Sequence, residues 1–305
     1  MTEGRIVIIG LGAVGRITGA LLTEKGLECR FLDSREDHQD PVRYTCSLFP
    51  GTLGERAFPV TILPEDPREE APALYLVTLK SWMNEEVLTA LRPQISRGIP
   101  VVMMQNGMGN TETAAMILPE NPVFPGVITA GAYRKGDLAV YAGGGCVRYD
   151  RPPILGDLST PDLPWIRDPD LPRAMLLKLA ANAVINPLTA VHNVRNGELL
   201  ERADLQDQVK EITGEIYNIC HAEDPSLKPG ELEDYVTGVI SATAGNISSM
   251  LADVRAGRRT EIRSIAGHLL ARAREHGMDA PLLSSMNQAI RSLEKEHDQS
   301  TDSRS

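Results

Sequence analysis

The chain has 305 residues, 42% of them hydrophobic and 24% charged, which is the composition of an ordinary globular protein with the length for two domains. A formal net charge of -10 argues against nucleic acid or an anionic membrane surface as a partner. The N-terminus "MTEGRIVIIG" lacks the pattern of a signal peptide, and no apolar run reaches the roughly 18 residues of a membrane span. A cytoplasmic protein is expected.

The first half alternates short β-branched runs with helical stretches. "RIVIIG" precedes "AVGRITGALLTEKG", "ALYLVTL" precedes "WMNEEVLTALRPQI", and "PVVMMQ" precedes "TETAAMIL". Strands that alternate with helices of this length are typical of βαβ units. The sequence therefore predicts a mainly parallel sheet in an α/β domain.

A G-x-G-x-x-G motif at Gly10, Gly12 and Gly15 lies directly after the first strand and opens the first helix. In this context the glycines allow a tight turn, a close approach of a pyrophosphate and a close helix–sheet contact, while the helix N-terminus offers N–H groups to the phosphates. The simpler alternative is a glycine-rich turn. The motif predicts a dinucleotide-binding loop formed by Gly10, Leu11, Gly12, Ala13, Val14 and Gly15.

The second strand, "ECRFLD", ends at Asp33. An acidic residue at this place in such folds commonly binds the adenosine ribose, although a solvated acid at a strand end would look the same. Asp33 alone favours NADH, because a carboxylate repels a 2′-phosphate. Ser34 and Arg35 follow directly, and a guanidinium can hold a phosphate through two hydrogen bonds.

Prolines in "DLSTPDLPWIRDPDLP" mark a boundary, since they exclude a continuous helix there. Beyond it the sequence predicts an all-α region, with helices over about 173–195, 204–222, 230–256, 260–276 and 280–297. The domains are predicted as 1–168 and 169–305. The polar end "DQSTDSRS" predicts a disordered tail from about residue 298.

Within this region, "KLAANAVINPLTA" places Lys178, Asn182 and Asn186 on one face of an otherwise apolar helix. Such a polar stripe must contact water, another polar group or a ligand. Lys178 could instead be a surface lysine, and Asn186 could repair the helix break at Pro187. Farther along, Asn246 and Ser249 are three residues apart and share a helix face, although the small residues around them could also indicate close helix packing.

Two further features have simple explanations. Glu261 could be an acid favoured by a helix N-terminus and nothing more. Four cysteines lie far apart without a CxxC pair, and no HExxH or GxSxG motif occurs, so buried free thiols and no metal site are expected.

With "TLKSW", "QNGMGN", "KLAANAVINPLTA", "NGEL", "NISSMLADV" and "RRTEI" added to the glycine motif, residues 5–297 resemble the ketopantoate reductase (2-dehydropantoate 2-reductase) family. The resemblance implies a Rossmann-type dinucleotide-binding domain followed by an all-α domain, with the active site in the cleft between them. It implies NADPH-dependent reduction of a small-molecule 2-keto acid, ketopantoate, to pantoate in pantothenate biosynthesis.

The resemblance also implies roles for individual residues. Lys178 matches the family's catalytic lysine, and Glu261 matches its active-site glutamate. The substrate contacts implied are Asn182, Asn186, Asn196, Asn246 and Ser249. The residues implied on the cofactor side are Lys80, Asn106 and Ala132, of which Asn106 also lies near the substrate, with Asp33, Ser34 and Arg35 at the adenosine end.

Several alternatives remain open from the sequence. A related 2-keto acid reductase, acting as a D-2-hydroxyacid dehydrogenase on another branched or aromatic acid, would share the lysine and asparagines. A non-catalytic dinucleotide sensor would keep the glycines without needing Lys178, Asn182 and Glu261 together. NADP(H) is the expected cofactor, NAD(H) is possible because of Asp33, and a homodimer is possible.

Overall fold

The computed structural model describes residues 4–32, 42–47, 55–60, 62–63, 71–135 and 138–302. It divides into two compact units: residues 1–105 with 109–171, and residues 106–108 with 172–305. The predicted boundary at 168/169 lies close to the one at 171/172. The sequence does not predict that the short segment 106–108 belongs to the second unit.

The described part of the first unit contains two β-sheets and three α-helices. In chain order its strands are β1 (Ile6–Ile9), β2 (Cys29–Leu32), β3 (Val42–Ser47), β4 (Glu55–Val60), β5 (Ile62–Leu63), β6 (Leu74–Val77), β7 (Val101–Met103), β8 (Val123–Ile128), β9 (Gly131–Lys135), β10 (Leu138–Gly143), β11 (Val147–Tyr149) and β12 (Trp165–Arg167). Its helices are α1 (Ala13–Glu24), α2 (Asn84–Leu91) and α3 (Asn110–Ile117).

The larger sheet has the order β12-β11-β8-β7-β6-β1-β2-β5, and the strands from β5 to β8 run parallel. The side chains of β1 are fully buried and alternate between two apolar clusters, with Ile6 and Ile8 in one and Val7 and Ile9 in the other. A continuous apolar strand is what a sheet covered on both faces requires. The predicted Rossmann-type parallel sheet is confirmed, and antiparallel β11 extends it.

A second, four-stranded sheet, which the sequence does not predict, has the order β4-β3-β10-β9. β3 pairs antiparallel with β4, β9 pairs antiparallel with β10, and β10 joins the two hairpins through a short parallel pairing with β3. Ala139 and Tyr141 of β10 pack in the same apolar cluster as Ile17 and Leu21 of α1. The glycine-loop helix is therefore held between the two sheets.

The described part of the second unit is helical. Its helices are α4 (Leu171–His192), α5 (Glu198–Glu201), α6 (Ala203–Glu223), α7 (Glu231–Ala242), α8 (Ser249–Arg255), α9 (Ile262–Glu275) and α10 (Pro281–Asp302). The all-α prediction is confirmed. The last helix continues to Asp302, past the predicted start of the tail at residue 298; no Gly or Pro interrupts "KEHDQSTD".

One predicted helix is wrong. Residues 230–256 form two helices, α7 and α8, instead of one. Thr243 ends α7 in a non-helical conformation, and Ser248 caps α8 by accepting a hydrogen bond from the Leu251 N–H at 3.1 Å. A serine hydroxyl satisfies an N–H group that would otherwise lack a partner at a helix start. Asn246 therefore lies in a loop and does not share a helix face with Ser249.

An ion-pair cluster fixes the start of α4. The Arg173 guanidinium donates to the carboxylates of Asp224 and Glu231, and to the Ser226 hydroxyl at 2.9 Å. Hydrogen bonding by Arg173 lowers the pKa of Glu231, and hydrogen bonding by Ser226, followed by the charge of Arg173, lowers the pKa of Asp224. The folded protein therefore binds fewer protons at these carboxyls than the unfolded chain does as the pH falls through their range.

We expect Arg173→Met to lower the urea midpoint of unfolding at pH 7, because the contribution of a carboxyl with a lowered pKa is present above its unfolded value of about 4. That contribution disappears as the pH falls towards the folded value. The difference from the wild type should therefore narrow below about pH 4. Urea titrations at pH 7 and below about pH 4 test this prediction. Arg97→Met is the control, because the Arg97 side chain is 81% exposed. A difference that is equal at both pH values would contradict it.

Candidate active site

The three motif glycines have different surroundings. Gly10 has a φ of +119°, and a Cβ there would lie 2.8 Å from the Leu79 nitrogen. A Cβ on Gly15 would lie 2.1 Å from the Gly10 oxygen and 2.5 Å from Thr78 Oγ1. A Cβ on Gly12 would have no described neighbour within 4 Å. Gly10 and Gly15 therefore serve packing inside the protein, whereas Gly12 leaves open space for another molecule.

The start of α1 fits a dinucleotide phosphate. Gly12 is the N-cap, and no acidic side chain occurs in the first turn of α1. The buried Arg16 donates from Nε to the Leu11 carbonyl of the same loop at 2.8 Å. Free N–H groups and the positive end of the helix dipole suit an anion, and the missing Cβ at Gly12 allows its close approach.

Two other predicted residues follow neighbouring strands of this sheet along the chain. β1 lies between β6 and β2, so the strand order reverses beside the glycine loop, where open α/β sheets bind their ligands. Lys80 follows β6, and Asn106 follows β7. Ala132 lies in β9 of the second sheet, opposite Tyr141. Asp33, Ser34 and Arg35 lie outside the described residues.

The polar stripe on α4 is largely withdrawn from solvent. Lys178 and Asn182 are partly buried, and Asn186 is only 6% exposed. Among the described residues, the Asn186 side chain has no hydrogen-bond partner. Instead, the Thr189 hydroxyl donates near the break at Pro187, to the Ile185 carbonyl at 2.8 Å. The structure therefore gives no support to Asn186 as the residue that repairs the helix.

Hydrogen bonds connect the end of α4 to the loop before α8. Thr189 Oγ1 and Ser248 Oγ share a hydrogen bond of 2.7 Å, which places α4 against the residue before Ser249. The backbone N–H of Asn196 donates to the Asn246 carbonyl at 3.0 Å, and its side-chain Nδ2 donates to Thr243 Oγ1 at 2.9 Å. Four of the predicted substrate residues are thus brought to one region: Asn186, Asn196, Asn246 and Ser249.

These four residues differ in exposure. Asn246 and Ser249 are exposed, whereas Asn186 and Asn196 are each 6% exposed. The Asn196 Oδ1 is buried without a hydrogen-bond partner among the described residues. A buried amide oxygen without a partner is costly unless a ligand or water satisfies it. Sequence reasoning missed Thr189 and Ser248, the two hydroxyls that join these segments, and the only available signal was the preference for serine before a helix.

Glu261 is brought to Asn106 within the second unit. The Asn106 Nδ2 donates to Glu261 Oε2 at 3.2 Å, although the two residues lie 155 positions apart in the chain. Glu261 is 6% exposed and precedes α9, but its side chain makes no capping hydrogen bond. Thr260 Oγ1 instead accepts from the Ile262 N–H at 3.2 Å. The role of a simple helix-start acid therefore does not describe Glu261.

The described residues contain no group of three or more His, Cys, Asp or Glu side chains that could hold a metal ion. Cys29, Cys146 and Cys220 are free, but of these three only Cys220 is fully buried, so the prediction of buried thiols is too broad. Burial raises the pKa of the Cys29 and Cys220 thiols to about 12. The thiolate form of either residue is therefore scarce near neutral pH.

Helix α4 is long and apolar enough to cross a membrane, with a mean hydropathy of 1.4 over its most apolar window. Of that window, however, 67% is buried inside the protein. Leu179, Ala183, Val184 and Leu188 belong to the apolar core of the second unit. The apolar character of α4 is therefore that of a core helix.

A Rossmann-type sheet with an open glycine loop, and a helical unit with a largely buried polar stripe, are typical of an oxidoreductase that uses a nicotinamide dinucleotide. The profile "Ketopantoate reductase PanE/ApbA" matches residues 6–149, and the profile "Ketopantoate reductase PanE/ApbA C terminal" matches residues 170–294. The chain belongs to the ketopantoate reductase PanE/ApbA family.

Individual relatives agree with this assignment. The chain is 33% identical to the 2-dehydropantoate 2-reductase of Salmonella typhimurium strain LT2, covering 97% of each chain. It is 27% identical to the solved structure of a probable 2-dehydropantoate 2-reductase from Bacillus subtilis, with a TM-score of 0.79 over 95% of this chain and 99% of that one. A D-mandelate dehydrogenase solved with NADH and anilino(oxo)acetate shares the fold, at 19% identity and a TM-score of 0.85 over 96% and 99% of the two chains.

Proposed function

We propose that this chain reduces 2-dehydropantoate to pantoate with NADPH, in the cytoplasm, as a step of pantothenate and coenzyme A biosynthesis. The observation that carries the proposal is the stripe of Lys178, Asn182 and Asn186 on a core helix, with Asn186 buried and unpartnered among the described residues. Relatives that cover nearly the whole chain and carry this activity in their names support it.

Lys178 is assigned the donation of a proton to the carbonyl oxygen. A reduced nicotinamide, when bound, would supply hydride to the carbonyl carbon, so the protein must supply a proton where the carbonyl oxygen gains negative charge. The Lys178 ammonium offers both a proton and a positive charge. Glu261 contributes a buried carboxylate to the same unit and holds the Asn106 amide.

The amides and the hydroxyl orient the keto acid. Asn182, Asn186 and Asn196 can donate to or accept from its carboxylate, hydroxyl and keto groups, as can Asn246, Ser249 and Asn106. Holding the reacting carbon in one place is a large part of catalysis, since a misplacement of about 1 Å can cost 100-fold in rate. The unpartnered Asn196 Oδ1 suits a hydroxyl donor on the substrate.

The cofactor-binding residues are assigned in the same way. Residues 10–15 would hold the pyrophosphate, and Lys80, Asn106 and Ala132 would lie towards the nicotinamide. Asp33, Ser34 and Arg35 would bind the adenosine end.

Alanine substitutions of Ser248 and Ser249 should distinguish a serine that stabilises the fold from one that binds the keto acid. We expect Ser249→Ala to weaken keto acid binding by about 1–3 kcal/mol, because a hydrogen bond to a charged group is lost. Its unfolding midpoint should not change, because Ser249 is exposed. Ser248→Ala should instead lower stability by about 1 kcal/mol, because it removes a helix cap. KM and thermal unfolding are measured for both; an unchanged KM with a lowered Tm for Ser249→Ala would assign it to packing.

Nucleotide choice depends on Arg35. We expect a preference for NADPH over NADH that is smaller than in relatives without an acid at position 33, because Asp33 favours an unphosphorylated ribose. Arg35→Ala should lower kcat/KM for NADPH more than for NADH, since a bidentate phosphate contact is lost. Steady-state kinetics with both nucleotides test this. A wild-type preference for NADH, or an equal loss with both nucleotides, would refute the role of Arg35.

A nicotinamide-oxidation assay with ketopantoate beside pyruvate and 2-ketoisovalerate tests the proposed function. Ketopantoate should give the highest kcat/KM. The D-mandelate dehydrogenase with the same fold favours one second candidate, a reductase of another branched or aromatic 2-keto acid, and activity on such acids but not on ketopantoate would select it. Association as a homodimer stays a prediction for sedimentation measurements.

A further inference from the structure

Hydrogen bonds link three amide side chains where β6 and β7 end. Asn84 Nδ2 donates to Gln105 Oε1 and to Asn110 Oδ1, both at 3.0 Å. Gln105 Nε2 donates to Asn84 Oδ1 at 2.6 Å and to the Leu79 carbonyl at 2.8 Å. Asn84 is 2% exposed and Asn110 8% exposed, while Gln105 is partly buried. We call Asn84, Gln105 and Asn110 the amide cluster.

One backbone carbonyl sets the direction of every bond in the amide cluster. The Leu79 oxygen can only accept, so the group that faces it must be the NH₂ of Gln105. The same NH₂ then requires the oxygen of Asn84, and the Asn84 NH₂ in turn requires the oxygens of Gln105 and Asn110. The cluster therefore has a single arrangement, and buried polar networks that are satisfied in this way are rigid.

The amide cluster connects the turn after β6 to the turn after β7, because the Gln105 side chain donates to the Leu79 carbonyl. Leu79 is joined directly to Lys80, and Gln105 is joined directly to Asn106. The Met104 N–H donates to the Val77 carbonyl at 2.9 Å, which continues the pairing of β6 with β7 up to the residue before Gln105. The ends of both strands are thus fixed relative to each other up to the two residues that the proposed function places on the cofactor side.

The segment after Gln105 is equally constrained. Asn106 donates to Glu261, and the Met108 N–H donates to the Ser264 carbonyl at 3.2 Å. Gly107 has a φ of +84°, and a Cβ on it would lie 2.5 Å from the same carbonyl, so only glycine fits this turn. A shift of Gln105 would act directly on Asn106, because the two residues share a peptide bond.

We infer that the amide cluster is a positioning device for the reaction, which sets Lys80 and Asn106 in place for the nucleotide and the keto acid. This inference rests on the proposed function, in which those two residues contact the cofactor side. Asn84, Gln105 and Asn110 act through their neighbours and are positioning residues. Apolar packing alone could also hold the ends of β6 and β7 together. It would not fix the rotation of the Leu79–Lys80 peptide, as a hydrogen bond to the Leu79 carbonyl does.

The test is Gln105→Glu, which keeps the shape of the side chain and removes its donors. The carboxylate would face the Leu79 carbonyl with no hydrogen to offer. The matched control is Asn121→Asp, because the Asn121 Nδ2 also donates to two backbone carbonyls, of Ser96 at 2.8 Å and Ile99 at 2.9 Å. Asn121 precedes β8 and Ile99 precedes β7, so this control lies at the opposite ends of the strands.

We expect Gln105→Glu to lower kcat/KM for ketopantoate by about 10- to 100-fold and to weaken NADPH binding, measured by nucleotide fluorescence. Asn121→Asp should lower Tm and keep both values within about twofold of the wild type. If Gln105→Glu does not fold, Asn84→Asp replaces it, since a carboxylate is favoured at the first residue of α2.

The outcomes distinguish failure of the amide-cluster inference from failure of the proposed function. A folded Gln105→Glu or Asn84→Asp protein with wild-type kcat/KM and nucleotide affinity would overturn the inference, as would equal losses in the Asn121→Asp control. A wild-type protein that reduces no 2-keto acid would refute the proposed function instead. In that case the NADPH titration of the same variants still tests the amide cluster.

Discussion

Replacing Lys178 by alanine is expected to lower kcat by about 10²–10⁴-fold while leaving nucleotide affinity unchanged. Reduction of a ketone develops negative charge on its oxygen, and Lys178 is the cation on the polar stripe of α4. Alanine removes both the proton and the charge. Because α4 is a core helix and alanine is a good helix former, the substitution should leave the fold intact.

The measurement combines steady-state kinetics with a fluorescence titration of NADPH. Lys210→Ala is the control, because Lys210 is an exposed lysine on another helix of the same unit, α6. It should behave as the wild type in both measurements. Near-normal turnover by Lys178→Ala would remove Lys178 from the mechanism, and a loss of nucleotide affinity that matched the loss in kcat would assign it to binding.

Strong local signals make the central part of the fold predictable. The apolar run of β1, the glycine motif and the start of α1 follow one another directly along the chain, so each limits the interpretation of the next. The α4 stripe is equally local, because side chains four residues apart share a helix face. The Rossmann-type sheet and the helical second unit follow from these patterns together with the family resemblance.

The remaining parts depend on contacts between distant residues. The second sheet pairs β3 with β10, and no pattern within either strand indicates that partner. The contact of Asn106 with Glu261 is invisible in the sequence for the same reason. The sequence predicts one helix over 230–256 because the small residues of "SATAGNISS" fit both a helix and a loop, and hydrogen bonds from Asn196 to Thr243 and Asn246 decide in favour of the loop.

Substitution of Gly15 in the glycine motif is expected to have the second large effect, on stability. We expect Gly15→Ala to destabilise the protein by about 3 kcal/mol, which lowers Tm by roughly 5–10 °C. Its Cβ would lie 2.1 Å from the Gly10 oxygen, and the contact involves backbone atoms of α1 and of the loop after β1 that cannot move independently. Loss of nucleotide binding should accompany the loss of stability, because the same shift distorts the loop.

Gly12→Ala should lower nucleotide affinity without the loss of stability expected for Gly15→Ala. Gly12 has a φ of -69° and a ψ of -176°, which alanine adopts without strain, and no described atom lies within 4 Å of the position that the alanine methyl group would take. Stability should stay within about 1 kcal/mol of the wild type.

The methyl group of Gly12→Ala would occupy the space for the pyrophosphate. NADPH affinity should therefore fall by about tenfold or more, a cost of at least about 1.4 kcal/mol. Thermal unfolding and NADPH titration of the two variants test this division: equal effects on Tm, or wild-type affinity in Gly12→Ala, would show that the open space is not where the dinucleotide binds.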